Sequence, residues 1–205
     1  KGNKPYQISD LELAKRLAVF LWSSIPDARL QQLAEEEKLK EPVILQTEVK
    51  RMLSDSRSDR FARHFVLQWL GLDGMESVTH VAEDALKDAM LKEPVAFFED
   101  LLKRNGSVLD FIHSDYVLVN ERLAKHYGIR DVFGYHFRKV SIEPHLNRGG
   151  LLTGSAVLAM NSDGKDSNPL KRGVWMLESI LDDQPPPPPP NVPEVDLADP
   201  EIQKM

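Results

Sequence analysis

Six consecutive prolines, Pro185–Pro190, fix where the folded body of this chain has to end. Proline holds its own φ and has no backbone N–H, so neither a helix nor a central strand runs through such a block. The block is expected to be an extended polyproline spacer rising ~3.1 Å per residue. The core therefore has to come from the residues before it, because "NVPEVDLADPEIQKM" beyond it shows little core-forming periodicity. The chain also opens on Lys1 rather than Met, as expected of a fragment of a longer polypeptide.

Ahead of the prolines the pattern is helical. Ser9 and Glu12 have the capping-box spacing, with Ile8 and Leu13 at the staple positions around them. Leu13, Leu17, Phe20 and Leu21 then repeat at helical spacing and predict a buried face. A second helix is expected from Ser24 as cap, with Pro26 in its first turn, and a third opens at Pro42. "SRSDRFARHFVLQWLG" predicts a fourth helix, stopped by Gly71. Residues 71–80 read as a connection. "AEDALKDAMLKEPVAFFEDLLKRNG" is helical, with Pro94 restarting or kinking it and Asn105-Gly106 ending it. "SVLDFIHSDYVLVNERLAKHYG" predicts a turn and a helix capped by Asn120 and stopped by Gly128. No strand is expected up to that point.

After Gly128 the pattern changes. "YHFRKVSI" alternates and predicts a short strand. "GGLLTGSAVLAM" reads as a small-residue helix suited to close packing. "NPLKRGVWMLESIL" reads as another, with Asn168 as cap, Pro169 at the first helical position and Val174, Leu177 and Leu181 on one face. Gly173 inside it costs stability unless something packs close there. Trp22, Trp69 and Trp175 fall in helical apolar patterns and are expected to anchor cores. The fold class expected is mainly α. A bundle-like helical module spans residues 7–131. A smaller, mostly helical module with at most a short strand or hairpin spans 132–184 and packs on the first. A proline-rich tail spans 185–205.

Composition narrows the function. The formal net charge of -6 argues against a nucleic-acid partner held by a global positive field. No stretch approaches the roughly 18 apolar residues of a membrane-spanning helix. The chain has no cysteine, which excludes disulfides, thiolate zinc, iron–sulfur ligation and Cys-x-x-Cys-His haem attachment within these residues.

The candidate chemistry lies mostly in one loop. Ser162 and Lys165 have a Ser-x-x-Lys spacing, but the surrounding Gly, Asp, Ser and Asn predict a loop rather than the helical turn that sets such a lysine beside its serine. Asn161, Asp163 and Asp166 offer alternating oxygens for a hard cation, although the downstream bidentate Glu of an EF-hand is missing, so a solvated turn is the favoured reading. Arg148, Lys165, Lys171 and Arg172 suggest an anion site near the start of the last helix. The plainer alternative is that Arg148 and Arg172 tie the loop to carboxylates or backbone carbonyls. The candidate ligand-binding set is thus Arg148, Ser162, Asp163, Lys165, Asp166, Lys171 and Arg172. It would serve an enzyme or a binding domain for anionic or carbohydrate material. No catalytic residue and no metal site is assigned. The histidines (His64, His80, His113, His126, His136 and His145) lack metal-ligand spacing and read as structural or surface groups, with His126 in a last helical turn where positive charge suits the dipole.

Two stretches carry a resemblance. "DLELAKRLAVFLWSSIPD", "RFARHFVLQWLGL" and "SDYVLVNERLAKHYGI" resemble one planctomycete-type domain family of unknown function. The segment from "FRKVSIEPHLNRGG" through "KRGVWMLESILDDQPPPPPPNVP" resembles the family that usually follows it. Both are associated with cytochrome c-like domains in large extracytoplasmic proteins. The resemblance implies a scaffold role, a periplasmic or cell-surface location, and neighbouring domains of the same polypeptide as partners. It implies no cofactor within this segment and a c-type haem elsewhere in the full-length protein, beyond the proline spacer.

Overall fold

The computed structural model describes residues 7–186. These are mainly helical, and several helices begin where a side chain accepts from one of their first N–H groups. Ser9 caps α1 (Asp10–Trp22) by accepting from the Glu12 N–H. α2 (Ala28–Glu35) starts later than expected, because Asp27 is its cap and accepts from the Leu30 N–H. Ser24 and Pro26 therefore precede the helix. A carboxylate outcompetes the hydroxyl here because it also accepts the Arg51 fork at 2.8 and 3.2 Å. α3 (Pro42–Ser54) opens on Pro42, and α4 (Asp59–Trp69) ends before Gly71, whose φ is 65°. A tight turn at Leu72–Ser77 buries Leu72 and Met75 within the expected connection.

α5 (Asp84–Arg104) runs continuously through Pro94 and ends at left-handed Asn105. α6 (Glu121–Tyr127) is capped by Asn120 and stopped by Gly128, as the sequence predicts. The strand expected near residue 138 is β2 (Arg138–Ser141). Its partner is β1 (Tyr116–Val119), antiparallel, with Tyr116 opposite Ser141 and Val119 opposite Arg138. No strand was expected at β1. All four of its residues are buried, so "YVLV" shows none of the alternation that marks a half-buried strand. The small-residue segment forms a turn at Leu151–Thr153 and then α7 (Ser155–Met160).

α1, α2 and α3 enclose a core of Ala14, Ala18, Leu21, Trp22, Leu30, Leu39 and Met52. Trp22 is fully buried and its indole N–H donates to the Met52 carbonyl at 2.9 Å. The buried stripe of α1 runs through Ala14, Ala18, Leu21 and Trp22, which leaves Phe20 62% exposed, contrary to its expected place in the core. Phe20 instead begins an aromatic row that continues through Phe61, Phe65, Phe98 and Phe111, with neighbouring ring centroids 5.0–6.1 Å apart. Trp69 joins the row edge-on against Phe111. α5 packs against α4, β1, α6 and α7.

The chain divides into two compact units at Asn168/Pro169. The second begins with α8 (Pro169–Ser179), which opens on Pro169. None of its residues is buried, and Trp175 is half-buried rather than a core anchor. Pro185 and Pro186 are neither helix nor strand, and the remainder of the expected polyproline tail lies outside the described residues.

Candidate functional site

The loop after α7 is held closed by its own short side chains. Asp163 Oδ1 accepts from the backbone N–H groups of Lys165 and Asp166, both at 2.9 Å. Ser162 Oγ accepts from the Gly164 N–H at 3.1 Å and donates to the Asp166 carbonyl at 2.9 Å. A bridge between Ser162 and Ser167 closes the base. Gly164 lies against His80, where an added Cβ would stand 2.3 Å from the His80 Cβ. Asn161 is buried and its amide donates to the Val157 carbonyl. Ser162, Asp163 and Asp166 are thus brought together as a turn, and the Lys165 side chain is exposed on it. These hydrogen bonds hold the Asp163 carboxylate below its ordinary pKa.

Arg148 is engaged elsewhere. Its guanidinium stacks 3.8 Å from the centre of the Tyr127 ring and donates to the Thr153 carbonyl at 3.1 Å. Lys171 and Arg172 belong to α8 in the second unit. Among the described residues, no group of three or more His, Asp or Glu side chains is placed to hold a metal ion. His126 does not favour the charge expected at a helix end. Burial and the nearby Arg148 charge both lower its pKa.

A buried polar cluster with no motif in the sequence lies beside Arg148. Glu93 on α5 is only 6% exposed. Its Oε2 accepts from the Tyr127 hydroxyl at 2.5 Å, the Ser155 N–H at 3.3 Å and the Ser155 hydroxyl at 3.4 Å. The same Ser155 N–H also donates to the Tyr127 oxygen at 2.8 Å. Burial pushes the Glu93 carboxyl up to about 7, against the pull of these donors and of Arg148. Burial and the adjacent carboxylate raise Tyr127 well above an ordinary phenol. One signal was readable. Met90, Pro94, Phe97 and Leu101 form the buried stripe of α5, and Glu93 falls on it, where an ionisable group demands partners.

Beside this cluster the backbone closes in. Gly150 N–H donates to Ser114 Oγ at 2.9 Å, and Ser114 Oγ donates to the Tyr116 carbonyl at 2.7 Å. Gly149 has φ 129°, and a Cβ there would lie 1.9 Å from the Ser114 carbonyl oxygen. Only glycine allows that approach. Residues 149–155 are thus seated on α5, α6 and the entry to β1.

A second buried carboxylate serves structure. Glu48 is fully buried and accepts from Arg29 Nε at 2.6 Å and Arg51 Nε at 2.7 Å. Arg57 stacks 3.5 Å from the Trp22 ring and clasps Asp55. These forks leave Glu48 paired on both oxygens, the condition for tolerating a buried charge.

Residues 8–129 match the family model PSD4, protein of unknown function (DUF1592). Residues 148–204 match PSCyt3, protein of unknown function (DUF1588). No curated protein and no solved structure matches the chain. The seat described above therefore joins the two matched segments, with Glu93, Ser114 and Tyr127 from the first and Gly149, Gly150 and Ser155 from the second. The first match covers more than half of the sequence, so the chain belongs to the DUF1592 family, with a DUF1588 segment after it, the pair of planctomycete-type domains associated with cytochrome c-like proteins.

Proposed function

We propose that the chain is a non-catalytic helical scaffold in a larger c-type cytochrome-like protein, periplasmic or at the cell surface, positioning neighbouring domains of the same polypeptide. The observation that carries this reading is the joint between the matched segments. A scaffold has to transmit position, and Glu93, Tyr127 and Ser155 fasten the start of the second segment into the interior of the first. The family names support the cytochrome association. Among the described residues no helix is long and apolar enough to cross a membrane.

The residues here do not fit a c-type haem, because its thioether bonds need cysteine thiols and the chain has none. The reading therefore places the haem on another part of the polypeptide. A visible absorption spectrum of the full-length protein, purified from a host able to attach c-type haem, tests this. Sharp reduced-state bands, with the haem retained under denaturing conditions, are the expected result. A featureless spectrum removes the redox part of the proposal.

A further inference from the structure

The segment between the two family matches, residues 130–147, carries two ring side chains that the fold does not bury. Tyr135 is 89% exposed and Phe133 is 69% exposed. A large aromatic ring left in water is a cost that a bound partner covering it would remove. Their backbone is nevertheless pinned on both sides of Gly134. Glu121 Oε2 accepts from the Gly134 N–H at 2.6 Å, and the Glu121 N–H donates to the Gly134 carbonyl at 3.0 Å. Arg138 Nη2 donates to the Phe133 carbonyl at 2.6 Å. Exposed rings on an anchored backbone form a platform that binding need not order first.

Tyr135 also walls an open cleft of about 220 Å³, lined otherwise by Asn120, Glu121, Arg122, Lys125 and Gly134. The polar groups in it are not equivalent. Glu121 is committed to the Gly134 N–H, and Arg122 pairs with Glu83. Asn120 uses its Oδ1 to cap α6, which leaves its amide N–H groups as donors. Lys125 is exposed and has no carboxylate within ion-pair distance among the described residues. The cleft thus offers a flat apolar ring, an unpaired ammonium and an amide donor.

We propose that this cleft binds an acidic saccharide, with one pyranose face stacked on Tyr135 and the sugar carboxylate held by Lys125 and the Asn120 amide. A simple anion would leave the ring uncovered. A neutral sugar would leave the lysine unused. A uronate-type unit satisfies both, because it joins an apolar ring face to a carboxylate at its edge. The site uses none of the residues that fasten the two segments, so it stands or falls separately from the scaffold reading.

Isothermal titration of the 205-residue chain with a short oligogalacturonate, and with a neutral glucan of equal length, tests the proposal. The acidic oligosaccharide is expected to bind, with the neutral one at least ~tenfold weaker. Tyr135→Ala and Lys125→Ala should each weaken acidic binding by about tenfold or more. Both side chains are exposed, so circular dichroism should show the fold unchanged in each variant. Absence of acidic-sugar binding to the unmodified chain at millimolar concentration overturns the proposal. So does wild-type affinity in Tyr135→Ala. A Glu-rich peptide that binds as tightly, with no dependence on Tyr135, would mark the surface as merely ionic and overturn it as well.

Discussion

Gly149→Ala is expected to destabilise the protein by at least about 3 kcal/mol, the scale of a strained backbone with a steric overlap added. The cause is local and severe. The backbone sits at φ 129°, and the new methyl would fall 1.9 Å from the Ser114 carbonyl oxygen. Neither group is a flexible side-chain end that can swing aside. Relief requires residues 149–150 to lift from Ser114, which also breaks the Gly150 to Ser114 hydrogen bond. The melting temperature should fall by roughly 6–12 °C for a protein of this size. Gly173→Ala is the matched control, because nothing lies within 4 Å of the added Cβ and the site is helical. That change should leave stability unaltered or raise it by up to ~1 kcal/mol. Calorimetry on the two variants separates a tight seat at residue 149 from a general intolerance of glycine replacement. Equal and small effects would mean that the second segment is not seated as described.

Glu93→Gln should change how stability depends on pH. Burial holds the Glu93 carboxyl at about 7 in the folded protein, above its ordinary value of 4.5. Below the ordinary value both folded and unfolded chains carry the proton. Between the two values the unfolded chain loses it while the folded chain keeps it, so rising pH favours unfolding. Stability is therefore full below pH 4.5 and declines until about pH 7, by about 3 kcal/mol in all. The hydrogen bonds from Tyr127 and Ser155 and the Arg148 charge oppose this without overcoming it. Glutamine is neutral throughout, and its carbonyl still accepts from Tyr127. The variant should match or fall slightly below the parent under acidic conditions and exceed it by up to about 3 kcal/mol near pH 8. Urea denaturation at several pH values measures this. Parallel profiles for parent and variant would show that Glu93 titrates alike in the folded and unfolded states, and would contradict its burial as described.

The sequence made the helix ends legible because they are set by local chemistry. Ser9, Pro42, Gly71, Asn120 and Gly128 act within a turn of themselves, and each is found at its expected boundary. Errors arose where distant residues decide. Asp27 displaced Ser24 as the cap of α2 because Arg51, far along the chain, reinforces it. Phe20 left the core stripe because Phe61 of α4, itself packed on Phe98 of α5, receives it at the surface. β1 was hidden because burial on both faces removes the alternation by which strands are read.

The same division holds for the sites. "NSDGKDSN" was readable as a turn because short polar side chains bond to their own backbone, as Ser162 and Asp163 do. The Glu93 cluster draws on residues 93, 127, 148 and 155, which only the fold assembles. Tyr135 stood at the start of the stretch expected to be a strand, which begins only at Arg138, and Phe133 carried no signal of its own. Their exposure on a pinned loop exists only once Glu121 and Arg138 have fixed the backbone around Gly134.

The second segment, up to α7, lies in one compact unit with the first, as the scaffold proposal requires. Native-state hydrogen exchange tests it most directly, because it assigns an opening free energy to each element. The protected amides of α7 and of β1 are expected to open together, with the same free energy and the same denaturant dependence as α5. If α7 opens at markedly lower free energy while α5 and β1 stay closed, the joint through Glu93, Tyr127 and Ser155 is not a rigid one, and the scaffold reading fails with it.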